Sequence, residues 1–173
     1  MDLVDFLYQA GSLKDVDRSG WRTVGIKPES VSEHSYRTAL IAYFLAKEEG
    51  IKDLEGVLLA ALLHDVHEAL TMDLHLVAKR YSSLNEEKAR KDSIGFSTDL
   101  LKPFRDKRIM QVVKDADKLE CVFQAKEYQD LGNPYVKDWI KNASESLKTD
   151  SAKSLCKKAL KRDAFNWLFE ARK

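Results

Sequence analysis

Apolar residues recur along most of the chain at spacings of three and four, the period of a helix with one buried face. Leu3, Phe6 and Leu7 predict a short helix over about 2–9, followed by an irregular stretch, Arg18-Ser19-Gly20-Trp21-Arg22. Ser30 with Glu33 three residues later has the form of a capping box, and Tyr36, Leu40, Tyr43 and Phe44 carry a helical stripe from there to Gly50. Asp53 can cap the next helix, whose run 57–63 is apolar nearly all round and is therefore expected to be the most buried element. It delivers His64 and Asp65 at its carboxyl end.

A loop and a short helix are expected over about 68–81, and Asn85 then caps a polar helix that ends before Pro103. The longest periodic segment covers about 105–131, with Ile109, Val112, Val113, Ala116, Leu119, Val122 and Phe123 on its core face and Gly132 as its stop. Pro134 opens a further helix with Val136, Trp139, Ile140 and Leu147 inward, and a last one from about Asp150 carries Leu155, Leu160, Trp167 and Leu168. Only 7 glycines and 3 prolines interrupt 173 residues rich in helix formers. The reading is an all-α, single-domain helical bundle over 1–173, with the motif-bearing core at about 13–131 and carboxyl-terminal helices at 134–171.

Charge narrows the function classes. With 29 Lys and Arg against 28 Asp and Glu, the net charge of +1 gives no reason to expect a nucleic-acid partner. The run 57–63 is far too short to span a bilayer, and acidic Asp2 and Asp5 stand where a signal peptide would carry positive charge. Cys121 and Cys156 form no Cys-x-x-Cys pair and fall on apolar helix faces, as buried thiols in a reducing compartment would. A soluble cytoplasmic protein with a small-molecule substrate is expected. No Gly-x-x-x-x-Gly-Lys-Ser/Thr or Gly-x-Gly-x-x-Gly loop is present to cradle a phosphate.

The chemistry concentrates at four residues. A His-Asp pair ending an all-apolar helix needs compensation, because burying either group alone costs several kcal/mol. Adjacent helical residues point about 100° apart, so His64 and Asp65 converge on a metal only near the helix end, with other helices completing the set. His34 and Asp117 are the available partners. Asp117 flanks the apolar positions Val113, Ala116 and Leu119, whereas Asp115 points elsewhere on the helical wheel. Two imidazoles and two carboxylates suit a divalent ion, Mn²⁺, Co²⁺, Fe²⁺, Ni²⁺ or Zn²⁺, with Mg²⁺ also admissible. Glu68 follows His64 by four residues, one turn onward if the helix continues, within reach of a water at such an ion.

Glu29-Ser30-Val31-Ser32-Glu33-His34, Leu63-His64-Asp65-Val66-His67-Glu68 and Asp115-Ala116-Asp117-Lys118-Leu119 resemble the H…HD…D signature of the HD-domain metal-dependent phosphohydrolases. They are most similar to its small 5′-deoxynucleotidase branch, over about 13–119. The resemblance implies that His34, His64, Asp65 and Asp117 bind the metal, that Glu68 takes part in proton transfer, and that Arg18, Trp21 and Asp73 contact a nucleotide. It implies a homodimer as well. Met72 stands where the branch has glycine, and Ser19-Gly20 separates Arg18 from Trp21, so Arg18 and Arg22 both remain candidates for the phosphate. An arginine can grip phosphate bidentately and an indole offers a flat face to a base.

The expected activity is a 5′-nucleotidase that turns deoxynucleoside monophosphates into nucleoside and phosphate. Rival readings are another HD activity, on a cyclic nucleotide, guanosine tetraphosphate or a nucleoside triphosphate, and a helical module that binds nucleotide without turnover. His64 and His67 are three apart and precede the glutamate, unlike a His-Glu-x-x-His protease helix. His67 is therefore read as an outer or surface residue, His75 as an ordinary loop or helix-surface residue, and Asp73 as able to cap the short helix that follows it.

Overall fold

A computed structural model describes residues 1–172, among which no strand occurs. Three helices form the centre: α2 (Val31–Glu48), α3 (Leu54–Leu63) and α8 (Lys107–Asp130), each packed on the other two. Around them lie α1 (Leu3–Ser12), α4 (Glu68–Thr71), α5 (Leu76–Lys79), α6 (Glu86–Ile94), α7 (Thr98–Leu101), α9 (Lys137–Glu145), α10 (Asp150–Leu160) and α11 (Asn166–Glu170). Short 3₁₀ turns occupy Leu13–Asp15, Ser19–Val24, Lys102–Arg105 and Pro134–Val136. No helix among the described residues is long and apolar enough to cross a membrane.

The local stop and start signals hold. Ser30 and Glu33 form the reciprocal capping box, and the side chains of Asp53 and Asn85 cap α3 and α6. These caps matter because they fix where α2 and α3 begin, and hence where His34 and His64 emerge. The apolar seam of α8, Ile109, Val112, Val113, Ala116, Leu119 and Val122, is buried as its period predicts.

Several expectations change. In α1 only Phe6 is buried, while Leu3 and Leu7 are exposed. The stripe Tyr36, Leu40 and Phe44 faces outward. The buried side of α2 is instead Val31, His34, Ser35, Thr38, Ala39, Ile41, Ala42, Leu45 and Ala46, in which Ser35, Ala39, Ala42 and Ala46 are small enough to let α3 and α8 approach closely. In α3 Leu62 is exposed, and the buried residues are Gly56, Val57, Ala60 and Ala61. The polar helix stops at Ile94, well before Pro103, which sits in the first turn of a 3₁₀ segment that needs no amide hydrogen there. The last helical segment is broken between α10 and α11, leaving Trp167 exposed.

Asp115 is fully buried, contrary to its expected outward place. It accepts hydrogen bonds from the Lys148 and Thr149 amides (3.1 and 2.7 Å) and from the Thr149 hydroxyl (2.8 Å), tying α8 to the start of α10. Both aspartates of the Asp-Ala-Asp sequence thus point into the protein, toward different partners.

The loop between α4 and α5 carries one backbone outlier. Met72 sits at φ 62° and ψ 162°, a region essentially reserved for glycine. Its side chain is more than half exposed, so packing gives little back for the strain. Met72→Gly is expected to raise the unfolding free energy by about 1 kcal/mol, strain relief outweighing the extra freedom of an unfolded glycine. Urea denaturation checks this, and a lowered midpoint would mean that methionine is at ease there.

Candidate functional site

His34 leaves the first turn of α2 and is wholly buried. Its Nδ1 lies 2.6 Å from Oε2 of Glu120, one turn beyond Asp117 on α8. Arg37 grips the other oxygen of Glu120 through Nε and Nη2, at 2.9 and 2.6 Å, and reaches Gln124 and Glu127 further along the same helix. His64 occupies the cap position of α3, where its Nδ1 is 2.7 Å from the Ala61 carbonyl, an acceptor freed by the helix end. A carboxylate and a carbonyl only accept, so each ring carries its hydrogen on Nδ1 and turns Nε2 inward.

The two Nε2 atoms meet 3.2 Å apart. Asp117 Oδ1 is 3.2 Å from His34 Nε2, and Asp65 Oδ2 is 3.2 Å from His64 Nε2; the cross distances are 3.8 and 3.9 Å. Donors about 2.1 Å from a shared ion stand roughly 3–3.5 Å from their neighbours, so this set fits a divalent cation. His34, His64 and Asp65 are close enough together to hold one ion, and Asp117 joins them through both imidazoles.

The charges around the site call for a cation at the same point. Burial and Arg18 both work to lower the His34 pKa, yet its hydrogen bonds to Asp117 and Glu120 outweigh them and raise it to about 10. Without an ion, a proton on this ring supplies part of the missing positive charge. Asp65 is held far below the usual carboxylate range: burial opposes this, but His64, Arg18 and His34 overcome it. Arg18 is partly buried, which alone would lower its pKa, and is driven higher by Asp65, Asp73, Asp117 and Glu68.

Arg18 lies in the site, with Nη1 3.3 Å from Asp65 and 3.8 Å from Asp73. Arg22 lies outside, paired with Asp17 on the surface. Asp73 accepts from the Ser19 amide at 2.8 Å, tying its loop to the 3₁₀ turn that follows Arg18. It does not cap α5; the His75 side chain does. A cavity of about 280 Å³ is lined by Arg18, Trp21, Asp65, Glu68, Asp73 and Asp117, among others.

Glu68 opens α4 after a break, because α3 ends at Leu63 and does not continue through it. It is buried, with one carboxyl oxygen lacking any hydrogen-bond partner. Burial, then Asp65 and Asp73, push its pKa up to about 9. His67 is also buried and is no surface residue; burial lowers its pKa. Trp21 is buried too, its indole Nε1 3.4 Å from Glu29 and its ring against Tyr128 and Trp139.

Residues 10–158 match the HD domain family. This chain belongs to that family. It is 34% identical over 149 residues to 5′-deoxynucleotidase HDDC2 of Bos taurus, across 76% of this chain and 70% of that protein. The corresponding protein of Danio rerio is 32% identical, across 77% and 73%. A conserved hypothetical protein from Pyrococcus furiosus superposes with a TM-score of 0.79 at 34% identity, covering 92% of this chain and 99% of that one.

The HD signature names the four donors but not what steadies them. Glu120 and Arg37 went unremarked in the sequence, although each falls one turn after a signature residue, Asp117 and His34. A carboxylate between the apolar positions Leu119 and Val122 was the available signal. His75 and Trp139, which also line the cavity, carried none.

The protonation pattern predicts how this HD domain responds to pH without metal. His34, raised from 6.5 to about 10, and Glu68, raised from 4.5 to about 9, both bind protons more tightly folded than unfolded. Their contributions are present at low pH and are lost as pH rises. Chelator-treated protein should therefore lose thermal stability between about pH 5 and 9, with a saturating divalent ion flattening the loss. A melting temperature that climbs over this range in chelator would contradict the assignment.

Proposed function

We propose that this HD-domain protein is a divalent-metal-dependent 5′-nucleotidase that hydrolyses deoxynucleoside monophosphates to deoxynucleoside and phosphate. The observation that carries it is the pair of Nε2 atoms facing each other beside Asp65 and Asp117, with Arg18 and Glu68 lining one cavity over them. Relatives that bear the name 5′-deoxynucleotidase support the substrate class.

His34, His64, Asp65 and Asp117 hold the ion in this reading. A mixed set of two nitrogens and two oxygens suits Mn²⁺, Co²⁺, Fe²⁺, Ni²⁺, Zn²⁺ or Mg²⁺. When bound, the ion supplies positive charge against the phosphoryl oxygens and makes hydroxide available near neutral pH, which phosphate monoester hydrolysis lacks in solution. Glu120 and Arg37 fix the His34 ring so that Nε2 faces the site. Arg18 holds phosphoryl oxygens in its planar fork, with Asp65 and Asp73 orienting it. Water attacks phosphorus, the bond to the 5′-oxygen breaks, and Glu68, kept protonated by its burial beside Asp65 and Asp73, gives its proton to that oxygen and regains one from the attacking water. Its unpartnered carboxyl oxygen is free for this. Trp21 and Asp73 shape the cavity wall.

The whole chain, 1–173, acts as one domain in this proposal. The free thiols Cys121 and Cys156 suit the cytoplasm. A homodimer completes the reading: Tyr36, Leu40 and Phe44 stand exposed at successive turns of α2, with Trp167 and Phe169 exposed on α11.

Incubation of metal-loaded protein with deoxynucleoside monophosphates is expected to release phosphate; none released with Mn²⁺, Co²⁺ or Mg²⁺ would reject the activity. Glu68→Gln should lower kcat roughly 10²–10⁴-fold with metal content unchanged. A non-catalytic binding module would show no such loss. For the dimer, Leu40→Glu combined with Phe44→Glu should convert the wild-type species to monomer in sedimentation velocity, and a monomeric wild type would end that part of the reading.

A further inference from the structure

Beside the charged cavity lies a second one of about 500 Å³. The two share four lining residues, His75, Leu76, Cys121 and Trp139, so they are adjoining chambers with Trp139 between them. Their linings differ. The first holds the charged side chains that a metal and a phosphoryl group require. The second has Val77, Ala143 and the Trp139 indole, with Thr23, Asn142 and Ser146 as scattered neutral hydrogen-bonding groups and a single carboxylate, the exposed Asp138, at its rim. A mostly apolar chamber with a few polar groups, of this size, is what a small organic body needs.

We propose that this second chamber is the nucleobase subsite, and that Trp139, not Trp21, supplies its aromatic wall. The inference rests on the phosphomonoesterase reading of the first chamber, which places the phosphate end and leaves the rest of the substrate to extend next door. Trp21 is 4% exposed, hydrogen-bonded to Glu29 and packed on two aromatic rings, so little of it is left to meet a base. Trp139 is only partly buried, lines both chambers, and lies 5.5 Å from Trp21 between ring centroids, braced from behind. Across from it, α5 leaves Leu76 and Val77 71% and 55% exposed, two apolar side chains that no core contact accounts for. A base inserted between Trp139 and α5 covers them. The few polar groups contact base edges without selecting one strongly, so tolerance among bases is expected.

Two measurements on metal-loaded protein test this. Calorimetric titration with free deoxyadenosine reads the subsite without turnover, and kinetics with deoxyadenosine monophosphate against 2-deoxyribose 5-phosphate, which lacks the base, isolates its part in catalysis. Stacking on an aromatic side chain predicts that Trp139→Ala weakens deoxyadenosine about tenfold or more, with Trp139→Phe recovering most of it. Val77→Asp, at an exposed position that leaves folding intact, should weaken it comparably. In each, kcat/KM should fall at least about tenfold further for the nucleotide than for the sugar phosphate. Equal losses for both substrates, or deoxyadenosine binding unchanged in Val77→Asp, would overturn the subsite. If the wild type hydrolyses no monophosphate yet binds deoxyadenosine in a manner that both variants abolish, the hydrolase reading falls and the subsite stands.

Discussion

Two imidazole nitrogens held 3.2 Å apart beside two carboxylates in a buried setting are the constraint on which the rest of this structure depends. Carboxylates repel when brought together out of water and a buried imidazole needs a partner at each nitrogen, so something must force them into place and something positive must complete them. Both requirements can be followed outward. Glu120 and the Ala61 carbonyl claim the other nitrogen of each ring, which fixes the tautomers, and Arg37 neutralises Glu120 so that its own burial is tolerable. Arg18 offsets part of the remaining negative charge from the open side. The central trio α2, α3 and α8 then serves as a frame in which small residues allow close approach and the polar groups meet at one end.

That frame divides its polar work by face. On α8, Asp117 turns to the site, Glu120 to the back of His34, and Asp115 to the Lys148-Thr149 turn that starts α10. One helix thereby couples the site to the carboxyl-terminal packing. On the opposite side of the cavity the structure is short and irregular: α4, α5 and the loop between them, where Met72 keeps a glycine-like backbone and Asp73 ties down the Ser19 amide. A persistent methionine in that conformation argues that the loop path is imposed by its ends, by Glu68 entering the core and by Asp73 reaching Ser19, and not by local preference.

What could be read in the sequence follows from range. Capping residues act on amides two or three positions away, so Ser30, Asp53 and Asn85 were legible. So was the seam of α8, because its large apolar residues leave a single face to bury. The stripe Tyr36, Leu40 and Phe44 shows the limit: periodicity says that a helix has faces, and says less about which one meets the protein. Here smaller side chains line the inner face because two helices close on it. Asp115 and Glu120 were misplaced or missed because their partners lie 33 and 86 residues away, beyond any local pattern. His34, His64, Asp65 and Asp117 stood out because their residue types are costly to bury alone and because their order resembles the H…HD…D pattern.

The stretch from Arg18 to Trp21 shows how a short turn can bring an arginine and an indole three residues apart to one cavity. Ser19–Val24 is a 3₁₀ turn, and the Trp21 amide donates back to the Arg18 carbonyl at 3.3 Å. With three residues per turn, positions 18 and 21 fall on the same side, so Ser19-Gly20 carries the chain round and the arginine and the indole line one cavity. The anchoring of the Ser19 amide by Asp73 holds the start of this turn. Arg18 stays at the charged end while Trp21 sinks toward Glu29 and Tyr128. The turn therefore gives the two residues separate roles: Arg18 a cation beside the carboxylates, Trp21 an aromatic ring committed to the core. Once Trp21 is committed inward, the ring that remains partly open against the second chamber is Trp139.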